Sequence, residues 1–290
     1  MSHKGITPFP RPHTVPPPSS DSASNRYESI VLGAPPHHVH SRIVFENRSL
    51  LAIDKPAGWM LSPTHWTRTS RSLQQAIESS LQLRLPWVKR HNLRFLRFIH
   101  RLDADTTGVL LLAKSHGAIA PYSKLLQTRQ VRKTYLAAVH GTPPMRPWSC
   151  QKPLGRDPRH PGRMRIVRKD GWTAETRFET LRPRTRNQPA LVASRPLTGR
   201  THQIRLHLTS AGCPVLGDSL YTPSSWITPP MPDAYPLALR AVALEFNDPF
   251  ERRPVSITAP VDHFLLSFGW DADAWAPFSP GSQRAGKNFD

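Results

Sequence analysis

The chain has 290 residues, of which 38% are hydrophobic, and its 39 Lys and Arg outnumber its 20 Asp and Glu. The formal charge of +19 predicts a polyanionic partner, although a generally basic soluble surface explains the same excess. No run approaches the roughly 18 apolar residues that span a bilayer, and the first residues lack the apolar segment of a signal peptide. We therefore expect a cytoplasmic protein with no membrane partner.

Cysteine and histidine usage argues against metal and disulfide chemistry. Cys150 and Cys213 lie far apart and form no CxxC pair, so neither a disulfide framework nor a thiolate zinc site is predicted. The densest histidine group, His37, His38 and His40, stands in a proline-rich stretch without supporting ligands. We expect no metal site.

Proline is concentrated near the ends of the chain. Residues 8–12 (PFPRP) and 16–22 (PPPSSDS) can neither form a helix nor pair in a sheet. We expect a flexible N-terminal tail over residues 1–38 and a flexible C-terminal tail over residues 271–290. Because no internal repeat or low-complexity linker divides residues 39–270, a single domain is the simplest interpretation.

Within that span, many short β-type runs accompany few helical patterns. The β-type runs are residues 43–45, 50–53, 109–113, 133–139, 173–180, 190–194, 239–246 and 255–259. Apolar residues at helical spacing, each run opening near a serine that would cap it, mark residues 72–83 and 115–127. Residues 201–211 form a third candidate, which Gly212 would end. The pattern predicts an α+β fold with a largely antiparallel mixed sheet flanked by a few helices and loops.

A charged turn precedes the apolar run at residues 109–113. Residues 100–108 (HRLDADTTG) place His100, Arg101, Asp103 and Asp105 before Gly108, at a junction where sites are often built. A turn that only hydrogen-bonds its own backbone explains these residues about as well as catalysis does.

A second polar segment follows at residues 197–208 (LTGRTHQIRLHL). Its glycine precedes a predicted helix with two arginines, Arg200 and Arg205, which suits a phosphate or a buried carboxylate. A surface helix with solvated cations is the alternative, and it fits Arg200 and His202 well.

Together these segments resemble the RluA-type pseudouridine synthase family. The resemblance covers most of residues 43–260 in the family's order, through five motifs. These are residues 54–58 (DKPAG), 100–108, 133–135 (KTY, similar to the family's KxY), 199–208 (similar to GR[ST]HQ[IL]R) and 216–221 (LGDSLY, similar to LGDxxY). Thr107 stands where serine is commoner, and Thr222 follows Tyr221 where glycine is usual.

The resemblance implies a pseudouridine synthase catalytic domain that works without a cofactor. Asp103 would be the nucleophile or base that starts glycosidic cleavage, after which the uracil rotates and rejoins the ribose through carbon. Arg205 would pair with Asp103 and favour its anionic form, so that lysine should be a poor replacement. Tyr135 would stack on the target base and relay the proton that leaves C5.

The same resemblance implies contacts with a nucleotide that is flipped out of the RNA. Arg101 would steady a phosphate or fill the gap, and His100, Lys133, Arg200 and His202 are further candidates for RNA contact. For Lys133, an exposed strand cation is an equally good interpretation. For Asp105, a turn cap is the better one.

Two basic runs favour an RNA partner. Residues 84–101 carry six Lys or Arg and no acid, interleaved with Trp87, Phe95 and Phe98, and residues 152–169 carry seven basic residues against one acid, in what reads as a loop. The first 38 residues are too few and too rich in proline for the separate RNA-binding domain of many relatives. We expect a monomer that acts on ribosomal or transfer RNA.

Two other classes of protein remain as alternatives. A catalytically silent RNA-binding protein would keep the fold, but it would be free to lose Asp103, Tyr135 or Arg205, all of which are present. A DNA-binding regulator would need a helix-turn-helix or a basic zipper, and the sequence contains neither.

Overall fold

The computed structural model describes residues 27–62, 71–226 and 230–276. The strands are β1 (Glu28–Leu32), β2 (Val39–Glu46), β3 (Leu50–Lys55), β4 (Arg97–Phe98), β5 (Thr107–Ala113), β6 (Arg132–Val139), β7 (Trp148–Cys150), β8 (Leu154–Arg156), β9 (Met164–Ile166), β10 (Thr176–Arg182), β11 (Ala190–Pro196), β12 (Leu239–Asn247) and β13 (Pro254–Thr258). The helices are α1 (Leu73–Gln82), α2 (Pro86–Arg90), α3 (His116–Gln127), α4 (Gln203–Ser210), α5 (Asp262–Ser267) and a 3-10 turn (Ala272–Ala274).

The chain folds into two compact units. The N-terminal unit contains the described residues up to 132, together with residues 241–259. The C-terminal unit contains residues 133–240 and the described residues from 260 onward.

The N-terminal unit is built on the strand order β1-β2-β3-β5-β12, with β4 on β5 and β13 on β12. The pairs β1–β2, β2–β3, β3–β5 and β12–β13 are antiparallel. Alternate apolar residues of these strands, such as Leu50, Leu111 and Phe246, form one core with Tyr122 of α3. Buried apolar area of this kind is the main source of its stability.

The C-terminal unit carries the strand order β6-β11-β10-β7, in which each pair is antiparallel. A separate two-stranded ribbon, β8–β9, packs through Leu154 and Met164 on Leu206 of α4. This packing fixes the position of α4, which carries the residues of the second motif.

The structure confirms the predicted α+β class and the largely antiparallel pairing. Each of the eight predicted β runs and three predicted helices overlaps an observed element. The Ser72 hydroxyl accepts a hydrogen bond from Gln75 N and caps α1, as predicted. Ser115 occupies the corresponding position before α3, but its side chain makes no capping hydrogen bond, which corrects that expectation.

Three other expectations need correction. Residues 28–32 of the predicted N-terminal tail form β1, because Ile30 and Leu32 are buried on one face of the sheet. Residues 272–274 of the predicted C-terminal tail form a helical turn next to the buried Trp275. Residues 152–169 are not simply a loop, since they contain the ribbon β8–β9. The rest of the two predicted tails, residues 1–26 and 277–290, lies outside the described residues.

The charged turn and the first basic run also differ from expectation in detail. Trp87 is buried in the core, so it offers no surface to a base. The Asp105 side chain is exposed and caps no turn among the described residues. In those same parts of the chain, no helix has the length and apolar character needed to cross a membrane.

Candidate active site

The Asp103 turn leads directly into β5 of the N-terminal unit. Thr106 N donates to the Asp103 carbonyl at 3.2 Å, which closes the turn. Gly108 has a φ of +107°, and a Cβ atom at this position would lie 2.0 Å from the Ala241 carbonyl oxygen. No other residue therefore fits where the turn becomes a strand.

A buried lysine stabilises this turn through hydrogen bonds to its backbone. Lys55 is fully buried, and its Nζ donates to the carbonyls of Pro56 at 2.9 Å, Ala104 at 2.5 Å and Thr106 at 3.1 Å. Burial lowers the pKa of Lys55 to about 7, and the negative charges of Asp105, Asp103 and Asp54 oppose that shift. Because three carbonyls need three donors, the geometry fits the ammonium form. The sequence marked the motif at residues 54–58 but gave Lys55 no role.

His100 and Arg101 differ in their surroundings. The His100 ring accepts a hydrogen bond from Leu111 N through Nε2 at 3.0 Å, so it supports the backbone of β5. Arg101 is exposed. Asp103, which follows it by two residues in the turn before Gly108, is half-buried. Contact of His100 or Arg101 with RNA stays a prediction.

Arg205 lies in the C-terminal unit and forms a two-pronged ion pair with Asp218. Arg205 Nε donates to Asp218 Oδ2 at 2.7 Å, and a terminal nitrogen of Arg205 donates to Oδ1 at 2.7 Å. The Asp218 side chain is fully buried and that of Arg205 is 8% exposed. A lysine cannot reproduce this planar fork. The predicted contact of Arg205 with Asp103 joins residues of two units and stays a prediction.

Gln203 fixes the backbone turn that leads into α4. Its Oε1 accepts from the Thr198 hydroxyl at 2.7 Å and from Arg200 N at 3.0 Å. Its Nε2 donates to the Glu175 carbonyl at 2.8 Å and to Thr176 Oγ1 at 2.9 Å. The buried amide is thus fully hydrogen-bonded, and it holds the glycine-containing turn in one conformation.

Tyr221 connects α4 to the ribbon. Its hydroxyl accepts from Met164 N of β9 at 2.9 Å and lies 2.6 Å from His202 Nδ1. The guanidinium groups of Arg205 and Arg163 lie 5.1 Å and 5.5 Å from the centre of its ring. Burial raises the pKa of Tyr221, so the hydroxyl stays protonated, and the tautomer of His202 decides which of the two groups donates in their hydrogen bond.

Lys133 and Tyr135 are two residues apart on β6, so their side chains lie on the same face of the strand. Tyr135 is buried. Lys133 Nζ donates to the Thr198 carbonyl at 3.3 Å, and burial lowers the pKa of Lys133 to about 8. Lys133 is therefore not the freely exposed strand cation that the sequence left open.

The predicted site residues fall into two groups, each within one unit. The N-terminal unit holds His100, Arg101 and Asp103, and the C-terminal unit holds Lys133, Tyr135, Arg200, His202 and Arg205. The sequence missed the partners that hold them, namely Lys55, Gln203, Asp218 and Tyr221. All four lie within motifs that the sequence marked, but their pairings join distant residues. Across the described segments of the chain, no group of three or more His, Cys, Asp or Glu is placed to hold a metal ion.

Comparison with known proteins identifies the family. The family model described as RNA pseudouridylate synthase matches residues 49–210, which include Asp103, Tyr135 and Arg205. The protein belongs to this family. The resemblance that the five motifs suggested is thereby confirmed.

Curated relatives agree with this assignment. An uncharacterised RNA pseudouridine synthase of Bacillus subtilis is 36% identical over 194 residues, which cover 67% of this chain and 62% of that protein. The ribosomal large subunit pseudouridine synthase C of Escherichia coli is 33% identical over 228 residues, covering 77% of this chain and 67% of the relative. The chain thus spans about two thirds of the length of these curated relatives.

Two solved human structures share the fold. RNA Pseudouridylate Synthase Domain Containing 1 superposes with a TM-score of 0.58, with 26% identity, covering 76% of this chain and 83% of that one. Human RNA Pseudouridylate Synthase Domain Containing 4 superposes with a TM-score of 0.59, also with 26% identity, and the match covers 78% of this chain and 90% of that one.

Proposed function

We propose that the protein is an isomerase that converts specific uridines of ribosomal or transfer RNA to pseudouridine, with Asp103 as the nucleophile. The observation that carries this proposal is the family match across residues 49–210, which spans all three proposed catalytic residues. The relatives named for the large ribosomal subunit support the ribosomal substrate and a cytoplasmic site of action. We expect a monomer.

In the proposed reaction, the target uridine turns out of the RNA and enters the site. The Asp103 carboxylate attacks ribose C1′ as the glycosidic bond to N1 breaks, or it takes a proton from the ribose as that bond breaks. The uracil then rotates, and C5 bonds to C1′ while the bond to Asp103 breaks or the proton returns to the ribose. The proton then leaves C5, Tyr135, stacked on the base, relays it, and N1 takes up a proton. No atom is gained or lost overall.

The surrounding contacts suit these roles. The three hydrogen bonds from Lys55 hold the backbone of the Asp103 turn, so the carboxylate is presented from a fixed loop. Asp218 fixes the guanidinium of Arg205, and Gln203 fixes the turn before it. In the proposal, Arg205 holds Asp103 as an anion, and Arg101, His100, Lys133, Arg200 and His202 contact the RNA.

The deciding experiment maps pseudouridines in ribosomal and transfer RNA by carbodiimide modification and primer extension, with and without the gene. We expect at least one site to disappear on deletion and to return with the wild-type gene. Asp103→Asn removes the nucleophile and should abolish the modification, a loss of at least about a thousandfold in rate.

Asp105→Asn is the matched control, because it neutralises an exposed carboxylate in the same turn. This variant should keep most of the activity. If no site disappears on deletion, or if Asp103→Asn restores the site as well as wild type does, the protein is a silent RNA-binding member of its family instead.

A further inference from the structure

Trp172 is an exposed tryptophan that follows the second basic run. Its side chain belongs to a residue that is 45% exposed, whereas Trp59, Trp87, Trp270 and Trp275 are all buried. Trp148 stacks on Phe178 within the C-terminal unit. An indole left in solvent forgoes the apolar burial that stabilises the others, and its flat face stays accessible to a ligand.

The backbone presents Trp172 in a fixed position. Trp172 N donates to the Leu154 carbonyl at 2.8 Å, and Leu154 N donates to the Trp172 carbonyl at 3.1 Å, which adds residue 172 to the edge of the ribbon. The preceding Gly171 packs so closely that a Cβ atom would lie 2.3 Å from Val167 Cγ2. The turn between β9 and Trp172 is therefore tight, so the backbone that carries the ring is already ordered when a ligand arrives.

Cations flank this ring. Trp172 pairs with Leu154, so its side chain and that of Arg156, two residues along β8, project from the same face. On the other side, Arg200 Nε donates to the carbonyl of Thr173 at 3.0 Å. Arg200 is exposed, and its terminal nitrogens make no hydrogen bond within the described parts of the chain. The ribbon segment as a whole carries seven basic residues against one acid between residues 152 and 169.

We propose that Trp172 is a stacking platform for an unpaired base of the RNA substrate, with Arg156 and Arg200 contacting the phosphates on either side. An indole face stacks on any base, and neighbouring cations hold the backbone of a single strand. The site extends the proposed function, on which it rests, by selecting RNA with an unpaired nucleotide near the target uridine.

The positive charge near the Trp172 ring favours an RNA strand, rather than a second copy of this protein, as the binding partner. Arg156 shares a ribbon face with Trp172, and Arg200 bonds the neighbouring Thr173 carbonyl. The chain has a net charge of +19, so a second copy would bring the same charge. Like charges brought together oppose self-association, whereas a phosphate backbone complements them.

The test measures the affinity of the full chain for a 12-nucleotide oligouridylate and for a 12-base-pair RNA duplex across a range of salt concentrations. Trp172→Ala should weaken binding of the single strand about tenfold. It should leave the salt dependence unchanged, because tryptophan neutralises no phosphate. Binding of the duplex should change less than about twofold, because its bases are already stacked.

Three further variants complete the design. Trp172→Phe keeps an aromatic face, and its affinity for the single strand should stay within about threefold of wild type. This variant also tests the stacking site if Trp172→Ala does not fold. Arg200→Ala should lower the salt slope by about 0.7, the value for one phosphate of a single strand. Phe250→Ala removes a similarly exposed aromatic ring from the N-terminal unit and should leave binding unchanged.

The proposal is wrong if Trp172→Ala binds the oligouridylate as wild type does, if the single strand and the duplex lose affinity equally, or if Trp172→Phe is as weak as Trp172→Ala. Unchanged RNA binding with reduced self-association in sedimentation would make the ring an interface between copies. Pseudouridine formation by the same wild-type preparation separates the two proposals. If wild type modifies RNA and Trp172→Ala shows no binding defect, only the stacking site fails; if wild type neither binds nor modifies RNA, the proposed function fails.

Discussion

Lys55 and Lys133 are both lysines removed from solvent, and their surroundings give them different tasks. All three ammonium hydrogens of Lys55 are donated to backbone carbonyls, so this side chain stabilises the Asp103 turn and has no donor left for a ligand. Lys133 donates one long hydrogen bond, to the Thr198 carbonyl, and so has capacity for a ligand. An ammonium whose pKa lies near the working pH is a charge that modest changes of pH remove.

Lys133 therefore predicts a pH dependence of RNA binding. Its pKa is lowered by burial to about 8, whereas an ordinary lysine keeps its proton to beyond pH 10. The charge is present below pH 8 and is lost as the pH rises above it. Between pH 7 and pH 9, the affinity of wild type for RNA should fall several-fold.

Lys133→Arg is the control, because arginine stays charged across this range and the variant keeps every other titrating group, Lys55 included. Filter binding at fixed ionic strength measures both profiles. The variant should bind with nearly the same affinity at pH 7 and pH 9, and equal slopes for the two proteins would refute the role of Lys133.

At the scale of elements, the sequence predicted best where apolar runs were long. β3, β5, β6 and β11 are buried over almost their whole length, and their apolar and β-branched residues made them visible. Five strands were missed. Four of them, β4, β7, β8 and β9, have two or three residues, too few for a period of two to emerge. The fifth, β1, has five residues and lies in the segment that was predicted to be a tail. The short strands exist because of tertiary contacts, as when Leu154 and Met164 pack on Leu206.

The candidate site shows the same division. Asp103, Tyr135 and Arg205 could be proposed as catalytic because each stands in a recognisable motif. Several of their supporting contacts escaped prediction because they join residues far apart in the chain: Met164 N and the Tyr221 hydroxyl are 57 positions apart. No local pattern of residues encodes such a pairing.

The link between β9 and α4 yields a prediction. Tyr221→Phe keeps the ring between the two arginines but removes the hydroxyl that joins Met164 N to His202. We expect a loss of stability of about 1–3 kcal/mol, since a buried donor loses its partner. Because His202 directly precedes the helix of Arg205, turnover at saturating RNA should also fall about tenfold.

Tyr122→Phe provides a matched control. It removes another tyrosine hydroxyl, which donates to Asp248 Oδ2 at 2.7 Å in the N-terminal unit. Denaturant unfolding should show a comparable loss of stability, while single-turnover kinetics should show an unchanged rate. Similar rate losses in both variants would mean that Tyr221 acts through stability alone.

At the scale of the whole molecule, the main feature that bears on RNA binding is the excess of positive charge. The excess of 19 positive charges is not confined to the candidate site: exposed cations occupy the first basic run, where Arg84, Lys89 and Arg94 are exposed, as well as the ribbon. Two members of that first run, Arg90 and Arg97, already pair with Glu28 and Glu78 and so contribute less to any RNA surface.

This distribution predicts strongly salt-dependent RNA binding. If about five phosphates are contacted, raising the salt from 50 to 200 mM should weaken binding of a single strand about a hundredfold, because each contact releases a counterion. Fluorescence anisotropy with labelled RNA measures this directly. Turnover at saturating RNA should change far less over the same series, and an affinity that ignores salt would exclude a phosphate track.

The tyrosine between the ribbon and α4 also bears on how such enzymes can be re-targeted. A ribbon moved from this protein into another synthase would leave behind the Tyr221 hydroxyl that accepts from Met164 N and the ring that Arg163 covers. An engineered exchange of specificity must therefore move residues 152–173 together with positions 202 and 221, as one interchangeable cassette.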